Sequence, residues 1–404
     1  MSFEKPSLND ALLSTYARAP ITFVRGEGCE LIDDRGVRYL DFIAGIAVCA
    51  LGHAHPAIAD AIAHQARTLV HTSNLYFHEP SGELARELIR RSGLGAAFFC
   101  NSGTEANEAA IKLARKRAHR RGETERKTIL ACEGSFHGRT LGALAATANP
   151  AYKEGFEPLP RGFAFTPFND VAALEKALDE TVAAFIVEPV QGESGVHPAE
   201  TSFLEAARRL CDERGALLIF DEIQCGMGRL GTLFAFERYG VVPDVVTMAK
   251  ALANGVPIGA MLVASHASAA LQPGDHGSTF GGSPIAAAAA LAHLRARDEL
   301  DLDAHVGETG AYFFDRLSAF AAMRSDVFAA PRGAGLLLGI PVLEPHSAPA
   351  FVATLRERRV LVGTAGGNTI RFAPPLVVTK DHVDRVISEL AAVACDVVQE
   401  NASL

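Results

Sequence analysis

Residues 216–255 read ALLIFDEIQCGMGRLGTLFAFERYGVVPDVVTMAKALANG, and this stretch decides the fold. Ala216–Phe220 is an apolar run bounded by Gly215 and an acidic pair, the pattern of a buried strand. Asp221 and Glu222 fall at its C-terminal end, where open α/β sheets place their ligands. A second run, Val245–Met248, ends at Ala249 and Lys250. Two strand ends thus bring a carboxylate and an amine, 29 residues apart, to one crevice. The pair suits pyridoxal phosphate: a lysine condenses with its aldehyde, and a carboxylate keeps its ring nitrogen protonated, making the ring an electron sink. Burial also lowers a lysine's pKa, so that it attacks a carbonyl and then carries a proton. An ordinary strand-end acid and a surface lysine remain open at this point. Lysine is scarce (5, 112, 116, 127, 153, 176, 250 and 380), and Lys250 is the one that most clearly ends an apolar strand.

The same stretch holds a decoy. Gly226–Gly231 fits G-x-G-x-x-G after a strand. A dinucleotide fold needs a helix opening there and an acid about 20 residues on, after a second strand. TLFAFERYG and Pro243 follow instead, with no strand before Asp244. A turn that lets backbone pass close to a neighbour accounts for the glycines.

Upstream, the apolar run Ala96–Cys100 leads directly into NSGTEANEAAIKLARKRAHRR. Ala106, Ala109, Ala110, Leu113 and Ala114 hold helical spacing, and Ser102 to Glu105 fits a capping box. Strand, glycine turn and helix N-terminus make an anion cradle; a well-capped helix and nothing more fits equally. A phosphate-bearing cofactor at Lys250 favours the cradle. Strands at Ile129–Cys132 and Ala183–Val190 and a helix over residues 201–215 continue the alternation, which implies a mostly parallel α/β sheet.

Further out, residues 21–42 show a hairpin-like pattern, residues 45–56 read as a loop, and a helix starts at Pro56. Downstream come a strand in GAMLVA (259–264), a glycine- and hydroxyl-rich loop (274–284) and an alanine-rich helix from Pro284. Helices near 300–323 and 348–359 and strands near 336–342 and 369–373 form a smaller α+β part. The division this implies is an N-terminal segment, 1–56, belonging with the small domain, a large domain over 57–290, and the C-terminal small domain over 291–404. His64, His71 and His78 recur every seven residues, but the period crosses a helix end and no acid or thiol shares it, so no metal site is expected.

Composition excludes other classes. A chain of 404 residues, 49% hydrophobic and 21% charged, is ordinary for a globular enzyme. A net charge of −9 argues against nucleic acid as the main partner. The longest apolar runs fall short of a membrane span, and MSFEKPSLND has no signal-peptide pattern. Seven scattered cysteines without C-x-x-C argue against a disulfide framework or zinc and for a reducing, cytoplasmic setting.

Six segments, with Lys250, now carry a resemblance: Asn101–Asn107 (NSGTEAN), Ser135–Thr140 (SFHGRT), Glu188–Glu193 (EPVQGE), Asp221–Arg229 (DEIQCGMGR), Gly277–Gly281 (GSTFG) and Ile370–Pro375 (IRFAPP). The chain resembles the class-III, ornithine-type pyridoxal-phosphate aminotransferases of fold type I nearly end to end, and within them is most similar to those acting on acetylornithine. That resemblance implies roles. Gly103 and Thr104 bind the cofactor phosphate, Phe136 stacks on the ring, Asp221 holds its nitrogen, Gln224 lies near its 3-hydroxyl, and Lys250 is the catalytic amine. Arg139 clamps the remote substrate carboxylate, which a guanidinium fork suits. Arg371 pairs with the carboxylate beside the reacting carbon, and Glu193 neutralises Arg371 when that carboxylate is missing. Thr279 reaches the phosphate of the neighbouring subunit, with Ser278 near the substrate, so a homodimer with shared sites is implied.

The implied reaction moves the terminal amine of N-acetyl-L-ornithine to 2-oxoglutarate, giving glutamate, by a ping-pong cycle in arginine biosynthesis. Ornithine, succinylornithine, 4-aminobutyrate and a carrier-linked lysine are the alternative donors. A decarboxylase or mutase on the same cofactor fold is the alternative reaction class. The glycine-rich Arg332–Gly335 carries Ala334 where relatives often have a long polar residue, a departure outside the chemistry.

Overall fold

The computed structural model describes residues 11–402; the Met1–Asp10 stretch, read above for a signal peptide, lies outside them. Strands β1 (Phe23–Glu27), β2 (Glu30–Asp33) and β3 (Arg38–Asp41) form the expected antiparallel meander. The 45–56 segment, read as loop, begins inside one irregular helical turn, Ala44–Ala47, with left-handed φ at Gly45 and Ile46.

The central element is a seven-stranded sheet. Its members are β4 (Ala96–Cys100), β5 (Thr128–Cys132), β6 (Phe163–Thr166), β7 (Val182–Val187), β10 (Leu217–Asp221), β11 (Val245–Met248) and β12 (Gly259–Val263). A small hairpin, β8 (Val190–Gln191) and β9 (His197–Pro198), lies between β7 and β10 in sequence. The spatial order is β4-β12-β11-β10-β7-β5-β6. Only β12 runs antiparallel to its neighbours, so the sheet is mostly parallel, as expected. The reversal follows from the short 249–258 link, which is too short for a helical crossover. β7, β10 and β11 are buried at every position, which is why they read as unbroken apolar runs rather than alternating ones.

Around this sheet the local signals resolve. Ser102 caps the Gly103–Arg120 helix, its Oγ accepting from Glu105 N at 3.4 Å. Glu105 reaches back to Asn101 N (2.9 Å), one residue beyond the usual capping box. At Gly226–Gly231 no helix opens; turns lead to the short Ala235–Tyr239 helix. Arg229, within that stretch, is fully buried and donates to the carbonyls of Leu336 (3.3 Å) and Pro374. Burial pushes its pKa down to about 9. The glycine-rich stretch therefore fastens the sheet to the C-terminal part.

That part holds β13 (Arg332–Ala334), β14 (Leu337–Pro341), β15 (Val360–Leu361), β16 (Gly363–Ala365) and β17 (Thr369–Phe372). Four of them form a sheet in the order β13-β14-β17-β16, while β15 pairs with β3. The N-terminal meander thus belongs with C-terminal elements. The Pro284–Glu299 helix runs unbroken through residue 290 and packs on the helices Pro56–Thr68 and Glu79–Ser92. The three periodic histidines occupy different elements: His64 in the first of these helices, His71 beyond its end, and His78 capping the second.

Candidate active site

Register places the chemistry. Phe220 pairs with Val187 and Asp221 with Thr247, so the ends of β7, β10 and β11 lie level. One step on, Glu188 stands beside Asp221, and Lys250 follows β11. These ends form the wall of a cavity of about 550 Å³, lined also by Gly103, Thr104, Phe136, Arg139, Glu193 and Gln224. Eight of the eleven residues singled out from the sequence meet there.

Asp221 is almost wholly buried and richly supplied with donors. Its Oδ2 accepts from Asn107 Nδ2 (2.7 Å) and lies 2.8 Å from His137 Nδ1, and its Oδ1 accepts from Ile223 N (3.1 Å). Asn107 also donates to the His137 carbonyl and accepts from Thr247 Oγ1, both at 2.7 Å. One amide thereby ties the strand ends to the Gly103–Arg120 helix and the loop after β5. The adjacent acid, Glu222, serves the backbone instead, accepting the amides of Ala235 (2.6 Å) and Phe236 (2.8 Å).

Lys250 sits in the left-handed region, φ +40°, where a non-glycine residue costs on the order of 1–3 kcal/mol. Burial and the nearby Arg371 charge hold its ammonium below the usual lysine range, against the carboxylates of Glu193 and Asp221. A lysine held so is more often a free amine.

At the other end lies the N-terminus of the Gly103–Arg120 helix. Thr104 Oγ1 is 2.9 Å from Thr140 Oγ1, and a side chain at Gly138 (φ +135°) would collide with it. Phe136 meets Tyr152 edge to face, with centroids 6.0 Å apart. The Arg139 guanidinium lies 3.8 Å from the Tyr152 ring centroid, a cation–π contact that holds it at the cavity wall.

Glu193 turns between β8 and β9 and lines the cavity. Arg371, on β17, is buried; its Nη1 donates to Glu193 Oε1 (2.6 Å), the Gly192 carbonyl (3.0 Å) and Gln224 Oε1 (3.2 Å). Gln224 Nε2 closes the triangle on Glu193 Oε1 at 2.9 Å. Burial opposes the Glu193 charge, but Arg371, Lys250 and these hydrogen bonds outweigh it and hold the carboxyl below its usual range. The buried Arg371 Nε keeps no hydrogen-bond partner.

Ser278 and Thr279 lie apart from this cavity's lining. Ser278 Oγ accepts from Asn101 Nδ2 (3.2 Å) and Gly281 N (3.0 Å); Thr279 lies against residues 71–78. Leu75, Tyr76, Phe77 and Phe280 are exposed nearby. Sequence reasoning assigned nothing to Asn107, His137, Thr247, Glu188 or the cavity-lining Tyr16. Asn107 had a usable signal, a polar residue on the apolar face of its helix; Tyr16, in a polar leader, had none.

Comparison with known proteins agrees with this geometry. The profile of the family described as aminotransferase class-III matches residues 14–394. The acetylornithine aminotransferase of Methanocaldococcus jannaschii is 47% identical over 385 residues, covering 95% of this chain and 96% of that one. Among solved structures, the ornithine aminotransferase of Toxoplasma gondii superposes with a TM-score of 0.93 at 33% identity, covering 96% and 94% of the two chains. The N-acetylornithine aminotransferase of Stenotrophomonas maltophilia gives 0.83 at 37% identity, covering 96% and 99%. The chain therefore belongs to the class-III aminotransferases, pyridoxal-phosphate-dependent transaminases of fold type I.

Proposed function

We propose that this enzyme transfers the terminal amino group of N-acetyl-L-ornithine to 2-oxoglutarate, a step of arginine biosynthesis in the cytoplasm. The observation that carries the reading is Glu193 lying over Arg371 at the cavity wall. A buried arginine left unpaired is costly. The terminal carbon of N-acetylornithine bears no carboxylate, and Glu193 supplies the missing charge; glutamate brings its own and displaces Glu193. Arg139 holds the remote carboxylate of either donor. The names borne by the 45–48% identical relatives support this donor.

The cavity fits the cofactor. A helix N-terminus with Gly103 and Thr104 suits a phosphate, buried Asp221 suits a cationic ring nitrogen, and Phe136 offers a face to a flat ring. Pyridoxal phosphate, when bound, supplies an aldehyde that condenses with amines and a ring that withdraws electrons from the reacting carbon. Lys250 would hold it through its amine and would carry the proton at the reacting carbon. Asp221, fixed by Asn107 and His137, keeps the electron-withdrawing form. Gln224 is engaged with Glu193 and Arg371 and reports on the switch as well as on the ring.

Removing the switch tests the reading. Glu193→Ala is expected to help the glutamate half-reaction and hurt the N-acetylornithine one. A charge-assisted hydrogen bond contributes about 1–3 kcal/mol, so the ratio of the two efficiencies should move by about 10- to 100-fold. Single-turnover rates with each donor measure it; equal changes in both would leave Glu193 structural.

The reading extends to assembly. Thr279, outside its own cavity and next to exposed Phe280 in a small pocket shared with His71–Asn74 and His78, fits a homodimer in which each chain completes its partner's phosphate site. A division at residues 56 and 290, the second inside the Pro284–Glu299 helix, with the N-terminal meander joined to the C-terminal part through β15, suits the same plan. Among the described residues no helix is long and apolar enough to cross a membrane. Thr279→Ala should weaken cofactor affinity by about tenfold, the loss of one hydrogen bond to a charged group. A fully active monomer at nanomolar concentration would end the shared-site idea.

A further inference from the structure

The cavity contains a carboxyl for which the reaction above has no use. Glu188 is buried, lines the cavity and follows β7 just where Asp221 ends β10. Because Phe220 pairs with Val187 in a parallel register, Glu188 and Asp221 stand side by side on neighbouring strands, on the order of 5 Å apart along the backbone. Two carboxyls so placed disfavour each other's ionisation, and the environment chooses which more readily keeps a proton.

The donor count decides. Asp221 has three partners: Asn107 Nδ2, His137 Nδ1 and Ile223 N. Glu188 has one, the amide of Phe136, on Oε2 at 3.0 Å. Donors stabilise a charged carboxyl, so Glu188, with one donor, is the member of the pair that keeps a proton. We propose that Glu188 is a charge-setting residue of this cavity: it holds a proton, so that the pair it forms with Asp221 at the strand ends carries one carboxylate charge instead of two.

The surroundings agree from every side. Asp221 on β10 and Glu193 in the β8–β9 turn are like charges that oppose ionisation, while Lys250 after β11 favours it only when protonated. The thiols of Cys132 and Cys225, also near, are buried and pushed well above the usual thiol range, so they stay neutral. Burial first, and then Asp221, hold the Glu188 carboxyl well above the usual carboxylate range. The consequence reaches Lys250. An ionised Glu188 would favour its ammonium, whereas a neutral Glu188 leaves it a freer amine. Glu188 acts through its neighbours and is a positioning residue.

This rests on the reading that Lys250 and Asp221 hold pyridoxal phosphate, and the test separates the two. Infrared spectra of the holoenzyme should show, at neutral pH, the carbonyl stretch of a protonated carboxylic acid that disappears in Glu188→Gln. The glutamine variant, a neutral isostere, should bind cofactor within about threefold of wild type at pH 7. As pH rises and the wild-type acid band fades, ionised Glu188 favours the Lys250 ammonium over the condensing amine, so wild-type affinity should fall by about tenfold relative to the variant, one pKa unit on Lys250. Asp221→Asn should move the fading of the Glu188 band to lower pH, since the like charge is gone. The inference is overturned by no acid band in wild type, by a band that survives in Glu188→Gln, by a glutamine variant that follows wild type at every pH or cannot hold cofactor, or by an unmoved band in Asp221→Asn. If Lys250→Ala keeps the absorbance band of lysine-bound cofactor, the cavity reading fails, while the infrared band still decides the protonation of Glu188.

Discussion

Lys250→Ala is expected to fold, to lose the visible absorbance band of lysine-bound cofactor, and to lose turnover by roughly 10,000-fold or more. On the proposed function the amine serves both covalent attachment and proton transfer, and proton transfer by a positioned group alone contributes about 10²–10⁴-fold. The left-handed backbone at residue 250 remains in the alanine variant, so little change in thermal midpoint is expected. Single-turnover absorbance with N-acetylornithine is the measurement. Turnover within tenfold of wild type, without added amine, would remove Lys250 from the mechanism.

Asp221→Ala is the second large effect. A preorganised charge aimed at where charge develops contributes about 10²–10³-fold. The half-reaction should slow by that much, with a smaller loss of cofactor affinity. The variant also strands donors from Asn107 and His137, and each buried unsatisfied donor costs about 1–3 kcal/mol. A lower thermal midpoint should therefore accompany the slower chemistry. Measuring both distinguishes them: a midpoint drop with half-reaction rates within about threefold of wild type would make Asp221 a structural acid.

Legibility in the sequence followed how local each constraint is. Leu217–Asp221 and Val245–Met248 are short apolar runs ended by charged residues, and buried parallel strands need nothing more to be seen. The turn at Gly226–Gly231 could be separated from a dinucleotide motif because the helix it requires was missing. What stayed hidden was non-local. That β12 runs backwards depends on a link length and on pairing with β4, about 160 residues earlier in sequence. The network around Asp221 joins residues 107, 137, 221 and 247, which share no period. Glu188 lay within a legible motif, yet its meaning came from register across two strands.

The Glu193–Arg371 pair has a consequence for redesign. Neither residue belongs to the seven-stranded sheet: Glu193 rides on the β8–β9 turn and Arg371 on β17 of the C-terminal sheet. Gly366 N to the Glu193 carbonyl (2.8 Å) and Arg332 Nε to the Gly195 carbonyl (2.6 Å) lash that turn to the same sheet. Asp221 and Lys250 stand on a different scaffold. On the proposed function, donor preference and bond-making thus sit on different scaffolds, joined through Gln224, which follows β10 and bonds both Glu193 and Arg371. Because the clasp closes on main-chain carbonyls, a grafted turn must keep the backbone path of residues 193–195 for Arg332 and Gly366 to find their partners.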